Sequence, residues 1–235
     1  VWVVTNGAGI MIYKNDNSSF LFHDDTLYAK TNIFFNSIYR DKNDDLWLGS
    51  IGVVVKIDKN YHISYFYPDT ITSNGFKHFI EDEKGNLWLA SDYGVYKFDG
   101  NSFELISEFD IKFARSFYID SNNRFWVGSY GDGLRVKSNG KYFTITQKEG
   151  LYSNIISAIV EDGNGSYWFT SNTGLFKVRE SEIDDYISGK TNHIISTNYG
   201  KDEGLSNIEF NGGCQPSWMR DDEGNLWFPS FGGPI

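Results

Sequence analysis

Three side chains able to donate hydrogen bonds to an anion stand at matching places in the sequence. Lys77 lies eleven residues before Trp88, Arg115 lies eleven before Trp126, and His78 directly follows Lys77. Arginine offers a planar fork that grips a carboxylate or sulfate with two bonds, and lysine offers a point charge. Ahead of three other tryptophans the same place holds Asn36, Ser157 and Pro216, so its chemistry changes from copy to copy. Asn154, in the connector before Ser157, adds an amide. Asn36, Lys77, His78, Arg115, Asn154 and Ser157 are therefore the candidate ligand contacts. The cations favour an acidic sugar or another small anion. Phe76 and Phe113 lie beside them and could stack on a sugar face, although core packing is the more ordinary use of both.

Reaction chemistry finds less support. His23, His62, His78 and His193 are scattered without metal-ligand spacing, and no metal or other cofactor is expected. No nucleophile elbow, phosphate loop or dinucleotide fingerprint is present. The prominent aspartates recur through the chain, whereas a catalytic carboxylate should be unique. Unrepeated acids such as Glu104 and Asp110 keep a polysaccharide-active hydrolase or lyase as the enzyme alternative.

These residues are placed by a repeat. Asp41, Asp82, Asp120, Asp162 and Asp221 each stand six residues before a tryptophan, namely Trp47, Trp88, Trp126, Trp168 and Trp227. Three residues before each tryptophan comes Asp44, Gly85, Asn123, Gly165 or Gly224, residue types that tolerate a left-handed backbone. Three residues after it comes Ser50, Ser91, Ser129, Ser171 or Ser230, and Trp2 with Thr5 opens a sixth copy. The anchor tryptophans of the repeat, Trp2 to Trp227, are 45, 41, 38, 42 and 59 residues apart. A period near 40 is that of a four-stranded propeller blade. The expected fold is an all-β propeller of antiparallel four-stranded blades, about five complete and others partial, forming one domain over 1–235. The tryptophans are expected to pack blade against blade. The long last interval holds a short helical insertion around 179–197, with Ser181 as the expected N-cap.

Composition agrees with this. Aromatic residues make up 17% of the chain, with 24 glycines and 4 prolines, which suits strands joined by tight turns. A formal net charge of −10 argues against nucleic acid as a partner. Cys214 is the single cysteine, so no intrachain disulfide forms. The chain opens inside a strand pattern, at Val1-Trp2-Val3-Val4, and reads as a piece of a longer protein. Further blades, or another propeller of the same protein, are then expected partners. Unpaired strand edges could also support a homodimer.

The string Glu-Asp-x-x-Gly-x-Leu-Trp-x-x-(Ser/Thr)-x-x-Gly-(Leu/Val) resembles the two-component regulator propeller repeat. Glu149-Gly150-Leu151-Tyr152-Ser153-Asn154 and Glu203-Gly204-Leu205-Ser206-Asn207 resemble its inter-blade loop, and Glu209–Pro216 with Trp227-Phe228-Pro229 its closing blade. The resemblance implies a fragment of a seven-bladed propeller. It also implies the periplasmic or extracellular sensor region of a membrane-anchored histidine kinase, reading carbohydrate fragments without catalysis. A rim that only docks other proteins is the structural alternative.

Overall fold

The computed structural model describes residues 2–5, 9–14, 17–22, 35–68, 75–213 and 215–235. Side chains are described from residue 35 onward within those ranges, together with Ile10; the Trp2 side chain, His23 and Cys214 lie outside them. The repeat becomes a series of antiparallel meanders. The first is β1 (Trp2–Thr5), β2 (Gly9–Lys14) and β3 (Asn17–Phe22). Four four-stranded sheets follow. They are β4 (Ser37–Arg40) to β7 (Ile63–Phe66), with β5 (Leu46–Gly49) and β6 (Val54–Ile57), and β8 (Phe76–Glu81) to β11 (Phe103–Leu105), with β9 (Leu87–Ser91) and β10 (Gly94–Phe98). Then come β12 (Ala114–Ile119), β13 (Phe125–Ser129), β14 (Leu134–Ser138) and β15 (Lys141–Ile145), and finally β16 (Ala158–Glu161), β17 (Ser166–Ser171), β18 (Gly174–Arg179) and β19 (Ser196–Tyr199). The Trp227 repeat contributes two pairs, β20 (Met219–Arg220) with β21 (Leu226–Trp227) and β22 (Pro229–Ser230) with β23 (Gly233–Pro234). The first strands adjoin in succession, β4 beside β8, β8 beside β12 and β12 beside β16. This is a β-propeller, and among the described residues four blades have all four strands.

The core lies between blades. Trp47 meets Phe98 and Phe103 of the next blade edge-on, at 5.0 and 5.8 Å. Trp88 meets Phe125 at 4.9 Å, and Trp126 meets Tyr167 at 4.6 Å. Aromatic faces of this size contribute more apolar burial than any other side chain, so adjacent blades hold one another.

One turn chemistry recurs at the far end of every inner hairpin. A single oxygen of Asp41, Asp82, Asp120, Asp162 and Asp221 accepts backbone N–H groups two and four residues on, at 2.7–3.1 Å. The other oxygen accepts the indole Nε1–H of the blade tryptophan, at 2.8–3.0 Å in all five. Asp44, Gly85, Asn123, Gly165 and Gly224 all have φ between 57° and 90°. At the near end, the hydroxyls of Ser91, Ser129, Ser171 and Ser230 donate to the carbonyls of Gly94, Gly133, Gly174 and Gly233, closing the next turn.

Helix α1 (Glu180–Ile187) occupies the long interval. Its N-cap is Arg179, without a side-chain cap bond, so Ser181 lies inside the first turn instead of capping it. Other contacts replace the cap. Ile183 is fully buried, Tyr186 Oη donates to the Thr144 carbonyl at 2.7 Å, and Arg124 Nη1 reaches Asp184 at 2.6 Å.

Candidate functional site

At the near end of three inner hairpins, one backbone frame carries side chains that differ, and at Lys77 and Arg115 a register shift interrupts the pairing. In those three, the residue eleven before the tryptophan, or its counterpart Asn211, donates its N–H to the carbonyl two residues past the tryptophan. Asn36 bonds Gly49 at 2.8 Å, Ser157 bonds Thr170 at 2.8 Å, and Asn211 bonds Pro229 at 2.9 Å. The apolar residue just before it ties back to the preceding blade. Phe76 donates to Ser50 O, Ile156 to Ser129 O, and Phe210 to Ser171 O, at 2.8–3.2 Å.

This frame corrects one position read from spacing. Phe76 and Ile156 precede their tryptophans by twelve residues, but Phe210 precedes Trp227 by seventeen. Five extra residues, 212–216, are inserted there. The mouth residue of that blade is thus Asn211, and Pro216 is displaced.

Lys77, Arg115, Ser157 and Asn211 line one cavity of about 350 Å³, with Tyr130, Asn172, Glu209 and Phe231 around them. Tyr130, Asn172 and Phe231 each stand four residues after a tryptophan, where other blades carry Ile51 and Asp92. That position varies beside a constant hydroxyl, a signal that sequence reasoning could have used and missed. Asn36, His78 and Asn154 do not line the cavity. Asn36 meets residue 215 through its carbonyl. The Asn154 carboxamide oxygen accepts the Gln147 N–H at 2.9 Å and locks its own loop. His78 is turned toward its neighbour blade: Nδ1 accepts the Phe117 N–H at 2.8 Å, and the ring stacks on Phe117 at 5.7 Å. Burial lowers its pKa to about 4, so it is neutral and supplies no positive charge to the mouth. Phe76 is fully buried, while Phe113 is half exposed.

Asp92 pairs with Arg115 and lies beside Lys77. Its Oδ1 lies 3.0 Å from Arg115 Nη1, close enough for an ion pair but without hydrogen-bond alignment. Its Oδ2 accepts the Gly75 N–H at 2.9 Å. A Cβ on Gly75 would stand 2.6 Å from Lys77 Nζ and 2.8 Å from Asp92 Oδ2, which shows how tightly the three groups meet. The Arg115 guanidinium also lies over the Tyr130 ring, 5.6 Å from its centroid. Asn172 Nδ2 donates to the Tyr130 hydroxyl at 3.2 Å. A two-cation edge, an aromatic wall and the acceptor–donor pair Glu209 and Asn211 can hold an acid group, a ring face and hydroxyls respectively. A second cavity, about 540 Å³, lies under α1. The Arg124 guanidinium that borders it is already engaged by Asp120, Tyr167, Glu180 and Asp184. Among the described residues, no group of three or more His, Cys, Asp or Glu side chains is placed to hold a metal ion.

Residues 29–52 match the family described as two component regulator propeller. That segment carries one copy of the two-component regulator propeller repeat. No curated protein matches the chain significantly in sequence. Among solved structures, it resembles the extracellular domain of a protein described as a hybrid two-component system of B. thetaiotaomicron, at 22% identity and a TM-score of 0.53. That likeness covers 99% of this chain and 36% of the other, so the propeller described here spans about a third of that domain. Virginiamycin B lyase from Staphylococcus aureus shares 11% identity, with a TM-score of 0.66 over 96% of this chain and 72% of that one. PorZ, a surface component of the type-IX secretion system of Porphyromonas gingivalis, shares 15% identity, with a TM-score of 0.63 over 94% and 35%. At these identities the likeness establishes the fold. Among the described residues, no helix is long and apolar enough to cross a membrane.

Proposed function

We propose that this regulator propeller is the extracytoplasmic sensing part of a two-component signalling protein, binding a small acidic saccharide at the mouth without transforming it. The observation that carries the reading is the convergence of Lys77, Arg115 and Asn211, from three different blades, on one cavity in an otherwise acidic chain. Repeat scaffolds carry specific sites as variable residues on a constant frame, and these side chains fit that description. An acid group would meet Lys77 and Arg115, and the sugar ring would lie along Tyr130 or Phe231. Hydroxyls would reach Glu209, Asn172 and Asn211. Glu209 is the cavity's one carboxylate among the described residues, whereas glycoside hydrolysis ordinarily uses two. That favours binding over bond cleavage, and the resemblance to sensor regions points the same way.

Calorimetric titration with glucuronate, and with glucose as the neutral control, tests the reading. Glucuronate should bind with an affinity that falls steeply as salt is raised, and glucose should bind more weakly. Equal affinity for both sugars, or breakdown of a glucuronate-ended disaccharide on incubation, would overturn it.

A further inference from the structure

Within the insertion, Gln215 is placed where several blades meet. Gln215 is 6% exposed, and its hydrogen bonds go to three blades. Its side-chain Nε2 donates to the Arg115 carbonyl and to the Ser157 carbonyl, both at 3.1 Å. Its backbone N–H donates to the Asn36 carbonyl at 3.3 Å, and the chain pairs there with Ser37 as a parallel bridge. Asn36, Arg115 and Ser157 are the mouth residues of their blades. One glutamine therefore holds the backbone of three of the five mouth positions. Its Oε1 in turn accepts the Ser217 N–H at 2.9 Å, and the Ser217 hydroxyl donates to the Ser157 carbonyl at 2.7 Å. Gly212 lies flat on Ser157, for a Cβ there would stand 2.2 Å from Ser157 Oγ. Gly212 and Gly213 both line the cavity.

We infer that Gly212 and Gly213 form the floor of the ligand site and that Gln215 is its positioning residue. The inference deepens the binding function proposed above and, for the ligand, rests on it. An amide nitrogen carries two donors at a fixed angle, so it sets the separation of the two carbonyls it joins. The Cα atoms of Arg115 and Ser157 move with those carbonyls, and the side chains move with the Cα atoms. A hydrocarbon of similar length leaves both buried carbonyls unsatisfied and the separation free.

The test uses the intact chain, Gln215→Leu, Gln215→Glu, and a deletion of 212–216 that restores the twelve-residue spacing of Phe76 and Ile156. Glucuronate titration and amide hydrogen exchange are read on all four. Gln215→Leu and the deletion should each weaken glucuronate at least tenfold. Gln215→Leu should also speed exchange in segments 113–118 and 155–160 while leaving 120–126 unchanged. Gln215→Glu regains an O–H donor when protonated, so its affinity should recover as pH falls, which Gln215→Leu should not reproduce. Glucuronate affinity within twofold of the intact chain in both Gln215→Leu and the deletion would overturn the inference. If the intact chain fails to bind glucuronate, the ligand reading falls alone. The floor is then decided by exchange: faster exchange confined to the mouth segments upholds it, and unchanged exchange overturns it.

Discussion

The inner hairpin of the fourth blade has two ends with opposite characters. At one end, Asp120 binds two backbone N–H groups and the Trp126 indole, and four other blades make the same contacts. At the other end stands Arg115, where the neighbouring blades carry Lys77 and Ser157. Identical chemistry at every copy serves what every blade needs, a closed turn and an oriented tryptophan. Unlike chemistry on an identical frame serves something the ring needs only once. The two ends should therefore fail differently when they are mutated.

The largest expected effect is Trp126→Ala. The ring is fully buried against Tyr167 and Phe169, and its loss should cost about 3–5 kcal/mol, read as a lower urea midpoint. Asp120→Ala should come close behind, at about 3 kcal/mol, because it removes at once the buried partner of Arg124 Nε and the acceptor of the Trp126 indole and the Tyr167 hydroxyl. If either change left stability untouched while weakening a ligand, the division between the two ends would be broken.

His78 sharpens the comparison, because it sits near the mouth yet behaves as part of the frame. Its folded pKa of about 4 lies below the unfolded value of 6.5, so over that window the unfolded chain binds the proton more readily. Its contribution is complete above pH 6.5 and is lost as pH falls through 4, by at most about 3 kcal/mol. Urea midpoints at pH 7 and pH 5 should show this fall in the intact chain and a flatter profile in His78→Gln. The smallest effect belongs to Trp227→Ala. This tryptophan is 40% exposed, against 0% for Trp126, so its loss should cost about 1 kcal/mol, measured in the same titration. A cost equal to that of Trp126 would mean that the sixth blade is buried by something else.

The aspartate, the left-handed position and the tryptophan were legible because each solves a local problem within seven residues and does so five times. The indole–carboxylate bond was not, since spacing alone does not say which way a ring turns. Arg124 and Tyr167 were also invisible in the sequence. Each stands in one blade where others carry residues such as Asn86 or Leu87; Arg124 finds Asp184 and Glu180 in a helix far along the chain, and Tyr167 donates to Asp120 of the preceding blade. The cavity was half legible. Counting back from the tryptophan reached Lys77, Arg115 and Ser157, which line one cavity. The same count failed at Pro216, because an insertion inside the interval shifts the count without disturbing the apolar Phe210 or the bonds it makes.

The central claim is that the variable end binds and the repeated end holds. Its most direct test measures glucuronate affinity and Tm on two variants, Lys77→Ala/Arg115→Ala and Asp162→Ala. The double variant should lose glucuronate binding at least tenfold with Tm nearly unchanged. Asp162→Ala frees the Trp168 indole and two turn N–H groups, so it should lower Tm and leave glucuronate affinity within twofold. If the double variant retained its affinity, or if affinity and Tm fell together in both proteins, the account would be contradicted.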